Sequence, residues 1–221
     1  MIKGLIFDLD GVIVDTAHYH YLSWREISRD LNIDFTIKDN ENLKGVSRID
    51  SLNYILKLGR LSFNTEEKNN LLDKKNNIYK HSISSLGKKN ILKGVEKILL
   101  KAKEKKMLLA VGSSSKNAKM IVEKLNLTHL FQAVVDGTMV KKTKPDPEVF
   151  LKAAKKMNLK SSECIVFEDA ESGVIAAKKG GFHVVSVGNT NIRNIGDLYV
   201  ESLEDFNLER DLVILLPLSN N

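Results

Sequence analysis

Cysteine is nearly absent. Cys164 stands alone among 221 residues, which excludes an internal disulfide framework and fits a reducing cytosol. No apolar run approaches the length of a membrane span. No signal-type leader is expected, because the apolar run from Leu5 meets Asp8 at once. Aromatic residues make up only 6% of the chain. The net charge of +6 therefore does not come with the basic, aromatic-interleaved stripe that nucleic-acid binding requires. The lysines of residues 101–106 and 155–156 fall at solvated positions of helical patterns, where a field attractive to phosphorylated substrates is compatible with them. His18, His81, His129 and His183 show no metal-ligand spacing, and no repeat or low-complexity linker interrupts the chain. With 43% hydrophobic and 28% charged residues, the sequence is ordinary globular material, long enough for one large domain or one domain carrying an insertion.

What is present is an alternation. Apolar, β-rich runs at 2–7, 107–112, 133–135, 164–167 and 184–187 predict strands. Helical patterns at 116–125, 147–157 and 172–179 separate the last four. This order predicts an α/β fold with a parallel sheet covered by helices, and such sheets carry their chemistry at the carboxyl ends of the strands. The first strand is different, since residues 16–85 read as almost entirely helical. Thr16, His20, Trp24, Ile27 and Leu31 share one helical face, and 48–58 and 65–79 are further helices. A helical block between the first and second strands predicts an inserted cap domain over 16–86, leaving 1–15 and 87–221 as the core domain. The tail from Leu212 is apolar and then polar, and residues 212–215 are a candidate edge strand.

Chemistry concentrates where the strands end. Asp8 and Asp10 stand at i and i+2 after the first strand, a spacing that points both side chains to one side if strand geometry persists. Two carboxylates so close either share a cation or split their pKa values. After the second strand, Ser113, Ser114, Ser115, Lys116 and Asn117 open a helix and form a natural phosphate cradle. Taken singly, the serines are as well explained as helix caps. Lys144-Pro145 places an ammonium where it can neutralise a phosphoryl oxygen. Glu168-Asp169, after the fourth strand, adds oxygen ligands of the kind that suit Mg²⁺. His20 and Trp24 fall on the inner face of their helix, where packing explains them as well as chemistry does.

Four such segments in this order resemble the haloacid dehalogenase-like phosphotransferases over nearly the whole chain, and the fold this implies is a Rossmann-like (HAD-like) parallel-sheet core with an inserted helical cap. Within that superfamily the sequence is similar to the β-phosphoglucomutase family. The match is carried by residues 8–13, by Asp15, Thr16 and Ala17, by His20 and Trp24, by Leu43-Lys44-Gly45-Val46-Ser47-Arg48 with Asp50-Ser51-Leu52, and by Lys75-Asn76. It departs from the pattern at Lys93-Gly94, where the family usually has Pro-Gly, and at Gly112, where alanine is common. The resemblance implies an Asp8 nucleophile, Asp10 as general acid/base, and Mg²⁺ held by Asp8, the Asp10 carbonyl and Asp169 with Glu168 assisting. It implies phosphoryl binding by Ser113 and Lys144, and sugar or phosphate contacts from Ser114, Ser115, Lys116 and Asn117. It further implies substrate contacts from Thr16, His20, Trp24, Lys44, Gly45, Val46, Ser47 and Ser51, and a distal-phosphate site at Arg48, assisted by Lys75 and Asn76. The expected activity is reversible conversion of β-D-glucose 1-phosphate to glucose 6-phosphate through β-glucose 1,6-bisphosphate. The alternatives are a sugar-phosphate phosphatase of the same fold, and a catalytically silent sugar-phosphate-binding regulator, which would be expected to lack a nucleophile or metal ligand. The expected partners are small sugar phosphates, without nucleic acid or membrane, and a cytoplasmic monomer is expected.

Overall fold

The first strand, β1 (Gly4–Phe7), is buried at every position, the pattern of a parallel strand covered on both faces. The structure, a computed structural model, describes residues 1–43 and 45–215. After β1 come four helices in succession: α1 (Ala17–Asp30), α2 (Ile37–Glu41), α3 (Arg48–Leu58) and α4 (Thr65–Ser82). The alternation then begins: α5 (Val95–Glu104), β2 (Leu108–Gly112), α6 (Ala118–Lys124), β3 (Ala133–Val135), α7 (Glu148–Lys156), β4 (Cys164–Glu168), α8 (Glu171–Lys179), β5 (His183–Val187), β6 (Leu198–Val200) and α9 (Leu208–Leu215). Two compact units result, one from Met1–Asp15 with the chain from Gly87 onward, the other from Thr16–Leu86. No helix among the described residues is long and apolar enough to cross a membrane.

In the first unit six strands form one sheet in the order β3-β2-β1-β4-β5-β6. All pairings are parallel, with Phe7 opposite both Val111 and Phe167. This is the doubly wound order whose direction reverses beside the first strand, and such sheets bind ligands at the carboxyl ends flanking that reversal. Alternation along the strands separates the two faces. Ile6, Ala110, Val135 and Val166 pack with Phe150 and Ala153 of α7 and Val174 and Ala177 of α8. On the opposite face Phe7 stacks on Phe167 at 4.7 Å between centroids, and Phe206 meets Phe167 edge-on at 5.0 Å.

The second unit is built on α1 packed against α4 and α3 against α4. Its core is Trp24, Ile27, Ile33, Phe35, Leu52, Ile55 and Leu56. Asn64 and Glu67 start α4 with reciprocal side-chain to backbone bonds at 2.8 and 3.0 Å, which satisfies amides the helix leaves open.

Residues 212–215 are helical, which corrects the candidate edge strand. Leu208, Asp211 and Leu215 are buried at helical spacing, and Asn207 Oδ1 accepts the N–H groups of Glu209 and Arg210 at 3.0 Å each. The edge beyond β5 is taken by β6, which has only three residues.

Candidate active site

Asp8 follows the last residue of β1, and its N–H donates to the Phe167 carbonyl at 2.9 Å, so the ladder continues one residue past the strand. The chain then turns sharply. The N–H of Gly11 donates to the Val14 carbonyl and that of Val14 to the Leu9 carbonyl. Gly11 has φ +86°, and a Cβ there would fall 2.1 Å from Asp169 Oδ2. Only glycine accommodates both the backbone and that approach. The turn therefore sets the Asp169 carboxylate, from the loop after β4, against the loop that carries Asp10.

Lys144 lies between β3 and α7, and its side chain is fully buried. Nζ donates to Asp8 Oδ1 at 2.6 Å and to Glu168 Oε1, and it sits 4.8 Å from the centroid of the Phe150 ring. At the 2.6 Å of the Lys144–Asp8 pair and an effective dielectric of about 20, the two charges attract by roughly 6 kcal/mol. Each ion loses several kcal/mol on leaving water, so a single carboxylate would leave the pair near break-even, whereas Lys144 has two. Burial alone would lower the Lys144 pKa, but Asp8 and Glu168 overcome it and hold the ammonium protonated. Burial, with Asp8 nearby, raises the Glu168 pKa, and Lys144 opposes that rise. The second oxygen of Glu168 accepts the Ala170 N–H at 2.8 Å. Gly173, in the first turn of α8, leaves the room this carboxylate fills, since a Cβ there would lie 1.8 Å from Glu168 Oε1.

The serine segment continues β2. The Ser113 N–H donates to the Val135 carbonyl at 3.0 Å. Ser113 Oγ accepts the Ser115 N–H at 3.0 Å, and Ser115 Oγ accepts the Asn117 N–H at 3.2 Å. The serines thus cap their own turn and line the same end of the sheet as Asp8. Gly137 follows β3 beside them, where a Cβ would meet the Ser114 carbonyl at 2.3 Å. Asp8, Asp10, Ser113, Ser114, Ser115, Lys116, Asn117, Lys144 and Asp169 therefore belong to loops at the carboxyl ends of β1 to β4, and Glu168 is the last residue of β4 itself. Asn189 after β5 was not singled out by the sequence. Its side chain donates to the Asp169 carbonyl at 3.3 Å, and only its place after a strand end could have pointed to it.

The remaining expected residues lie in the helical unit. Lys75 is buried, with Nζ 2.8 Å from His20 Nδ1, 5.0 Å from the Trp24 centroid and 4.7 Å from that of Tyr79. Burial first, then Lys75 and Arg48, depress the His20 pKa well below the ordinary imidazole value, so the ring is neutral at pH 7. Asn76 is half-buried on α4, and Thr16 is buried just before α1. Ser47 caps α3, its Oγ accepting the Asp50 N–H at 3.1 Å, and Ser51 Oγ donates back to the Ser47 carbonyl at 2.9 Å. Arg48 begins that helix and is half-buried, beside Gly45 (φ +72°) and Val46 in the preceding turn. Lys44 lies outside the described residues.

Two carboxylate-bearing strand ends, a serine turn and a buried ammonium at a topological switch point are equipped to transfer a phosphoryl group. Among the described residues no group of three or more His, Cys, Asp or Glu side chains is gathered to hold a metal ion. A cation there would take Asp8 and Asp169 together with main-chain oxygen and water, a donor set suited to a hard ion.

Comparison with known proteins agrees with this geometry. The beta-phosphoglucomutase of Bacillus subtilis is 40% identical over 94% of this chain and 92% of its own length. Fructose-1-phosphate phosphatase YqaB of Escherichia coli is 31% identical over 83% of this chain and 95% of its own. The crystal structure of beta-phosphoglucomutase from Clostridium difficile matches with a TM-score of 0.94 at 38% identity, covering 97% of both chains. A sequence model of the haloacid dehalogenase-like hydrolases matches residues 5–187, which span every strand-end loop from Asp8 to Asp169, and the chain belongs to that family.

Proposed function

We propose that this chain is a β-phosphoglucomutase, an isomerase that interconverts β-D-glucose 1-phosphate and glucose 6-phosphate through a phosphorylated Asp8 and β-glucose 1,6-bisphosphate. The observation that carries it is the buried Lys144 held on Asp8 at the switch point, in a chain similar to beta-phosphoglucomutases over nearly its full length. An Asp8 oxygen attacks the phosphorus in line and the sugar oxygen leaves. Asp10 gives that oxygen a proton and takes one from the hydroxyl that attacks in the second half-reaction. Lys144 and Ser113 bind the oxygens of the transferring group, and Ser114, Ser115, Lys116 and Asn117 orient the sugar or its phosphate. Asp8, the Asp10 carbonyl and Asp169 would hold Mg²⁺, which supplies charge neutralisation between an anionic carboxylate and an anionic phosphate. Glu168, with one oxygen on Lys144 and the other on the Ala170 N–H, acts through Lys144.

A mutase must also hold the phosphate that is not being transferred. The helical unit, read as a cap, supplies Arg48 for this, because a planar guanidinium suits phosphate in a bidentate fashion. Asn76 assists, and Lys75 assists through His20. Thr16, Trp24, Lys44, Gly45, Val46, Ser47 and Ser51 complete the substrate contacts. Burial pushes the Cys164 thiol up to about 12, which makes it unreactive, and a cytoplasmic monomer completes this reading. A sugar-phosphate phosphatase is the second reading, favoured by the similarity to fructose-1-phosphate phosphatase YqaB. Arg48→Ala separates them. It should reduce mutase turnover about 100-fold or more while hydrolysis of a small phosphomonoester changes less than about threefold. Equal losses in both reactions would remove Arg48 as the distal-phosphate anchor.

A further inference from the structure

Asn189 lies just past β5, at the end of the sheet where Asp8, Ser113 and Glu168 also lie. Its side chain is engaged at both ends. Oδ1 accepts the Asn191 N–H at 3.0 Å, which fixes the direction of the amide. Nδ2 is thereby aimed the other way and donates to the main-chain carbonyl of Asp169 at 3.3 Å. The turn that carries Asn189 is itself anchored. The Gly188 N–H donates to the Val200 carbonyl of β6 at 2.9 Å, and the Asn189 N–H to the Val187 carbonyl at 2.8 Å. Two neighbours thus bracket the loop after β4. Asn189 grips its main chain from β5, while the Asp169 carboxylate lies in the space left by the missing side chain of Gly11.

We infer that Asn189 is a positioning residue for the divalent cation: it holds the Asp169 carbonyl and so fixes the direction of the Asp169 carboxylate. The inference rests on the metal reading above and adds a residue to it. Asn189 itself touches neither cation nor substrate. A ligand whose main chain is already held loses less freedom when it binds metal, and removing such an outer partner typically weakens metal binding by about 10–100-fold. A single neutral hydrogen bond of 3.3 Å, slightly longer than the usual range, belongs at the low end of that span.

Calorimetric titration of the whole protein with Mg²⁺ tests this without reference to turnover. Asn189→Ser keeps an oxygen that accepts the Asn191 N–H, so the turn is retained, but cannot reach Asp169. Its Mg²⁺ affinity should fall about 10-fold, with a thermal midpoint like that of the wild type. Asn189→Ala, lacking both bonds, should fall at least as far, and if it fails to fold the serine variant alone decides. Unchanged affinity in Asn189→Ser overturns the inference, whatever happens to its melting temperature. A wild-type protein that binds no Mg²⁺ overturns the metal reading first and this inference with it, so the two failures are distinguishable.

Discussion

Lys144 shows how one residue ties the chemistry of the site to the stability of the fold. Its ammonium is buried against Asp8 and Glu168, and removing it leaves both carboxylates behind. Breaking a buried pair from one side costs about 3–5 kcal/mol because the other charge stays behind. Lys144→Met should therefore melt well below the wild type, and the deficit should depend on pH. Burial already raises the Glu168 pKa above its unfolded value, and Lys144 is the group that pulls it back. Without Lys144 the folded state holds a proton on Glu168 to higher pH, while the unfolded chain releases it at the ordinary carboxylate value. Between those two points the folded state binds more protons than the unfolded one, so stability falls as pH rises. Thermal melts at about pH 5 and about pH 8 should show the larger deficit at the higher pH. A deficit independent of pH would contradict this account of the pair.

At the scale of elements, strand ends and helix starts must meet without collision, and Gly173 is where α8 meets β4. Gly173→Ala would drive a methyl into Glu168 Oε1 and displace that carboxylate from Lys144. A shift of about 1 Å in a catalytic group costs on the order of 100-fold, so turnover should fall by about 10–100-fold. Gly87→Ala, with no atom within 4 Å of the added carbon, should leave turnover unchanged and serves as the control. Strands β1 to β5 were legible because strands buried on both faces write largely apolar runs into the sequence, even with Ser186 inside β5. Strand β6 was not, since three residues with a half-exposed Tyr199 leave no such run. Helix α9 was misread for a related reason. Its inward-facing position 211 is an aspartate paired with Arg210, which hides the helical period, and the contiguous apolar residues 212–215 imitate a strand. The strand-end residues Asp8, Asp10, Ser113, Lys144, Glu168 and Asp169 were legible as motifs. Asn189 was not, because a side chain that acts through another residue's carbonyl carries no periodicity and no motif.

For the whole molecule, the core and the helical unit are asked for different things. In the proposed reading the core supplies a nucleophile and a phosphate-binding turn beside the buried ammonium, and a phosphatase would need the same parts. Similarity to both a beta-phosphoglucomutase and a fructose-1-phosphate phosphatase reflects that shared half of the chemistry. What distinguishes a mutase is that the phosphoenzyme passes its phosphoryl group back to a sugar before water takes it. Partition between sugar and water is therefore the quantity to measure. Purified protein with Mg²⁺, β-glucose 1-phosphate and a trace of β-glucose 1,6-bisphosphate should be followed for glucose 6-phosphate and free phosphate together. The account predicts glucose 6-phosphate in large excess over phosphate. Phosphate release without glucose 6-phosphate would contradict it and identify the chain as a sugar-phosphate phosphatase.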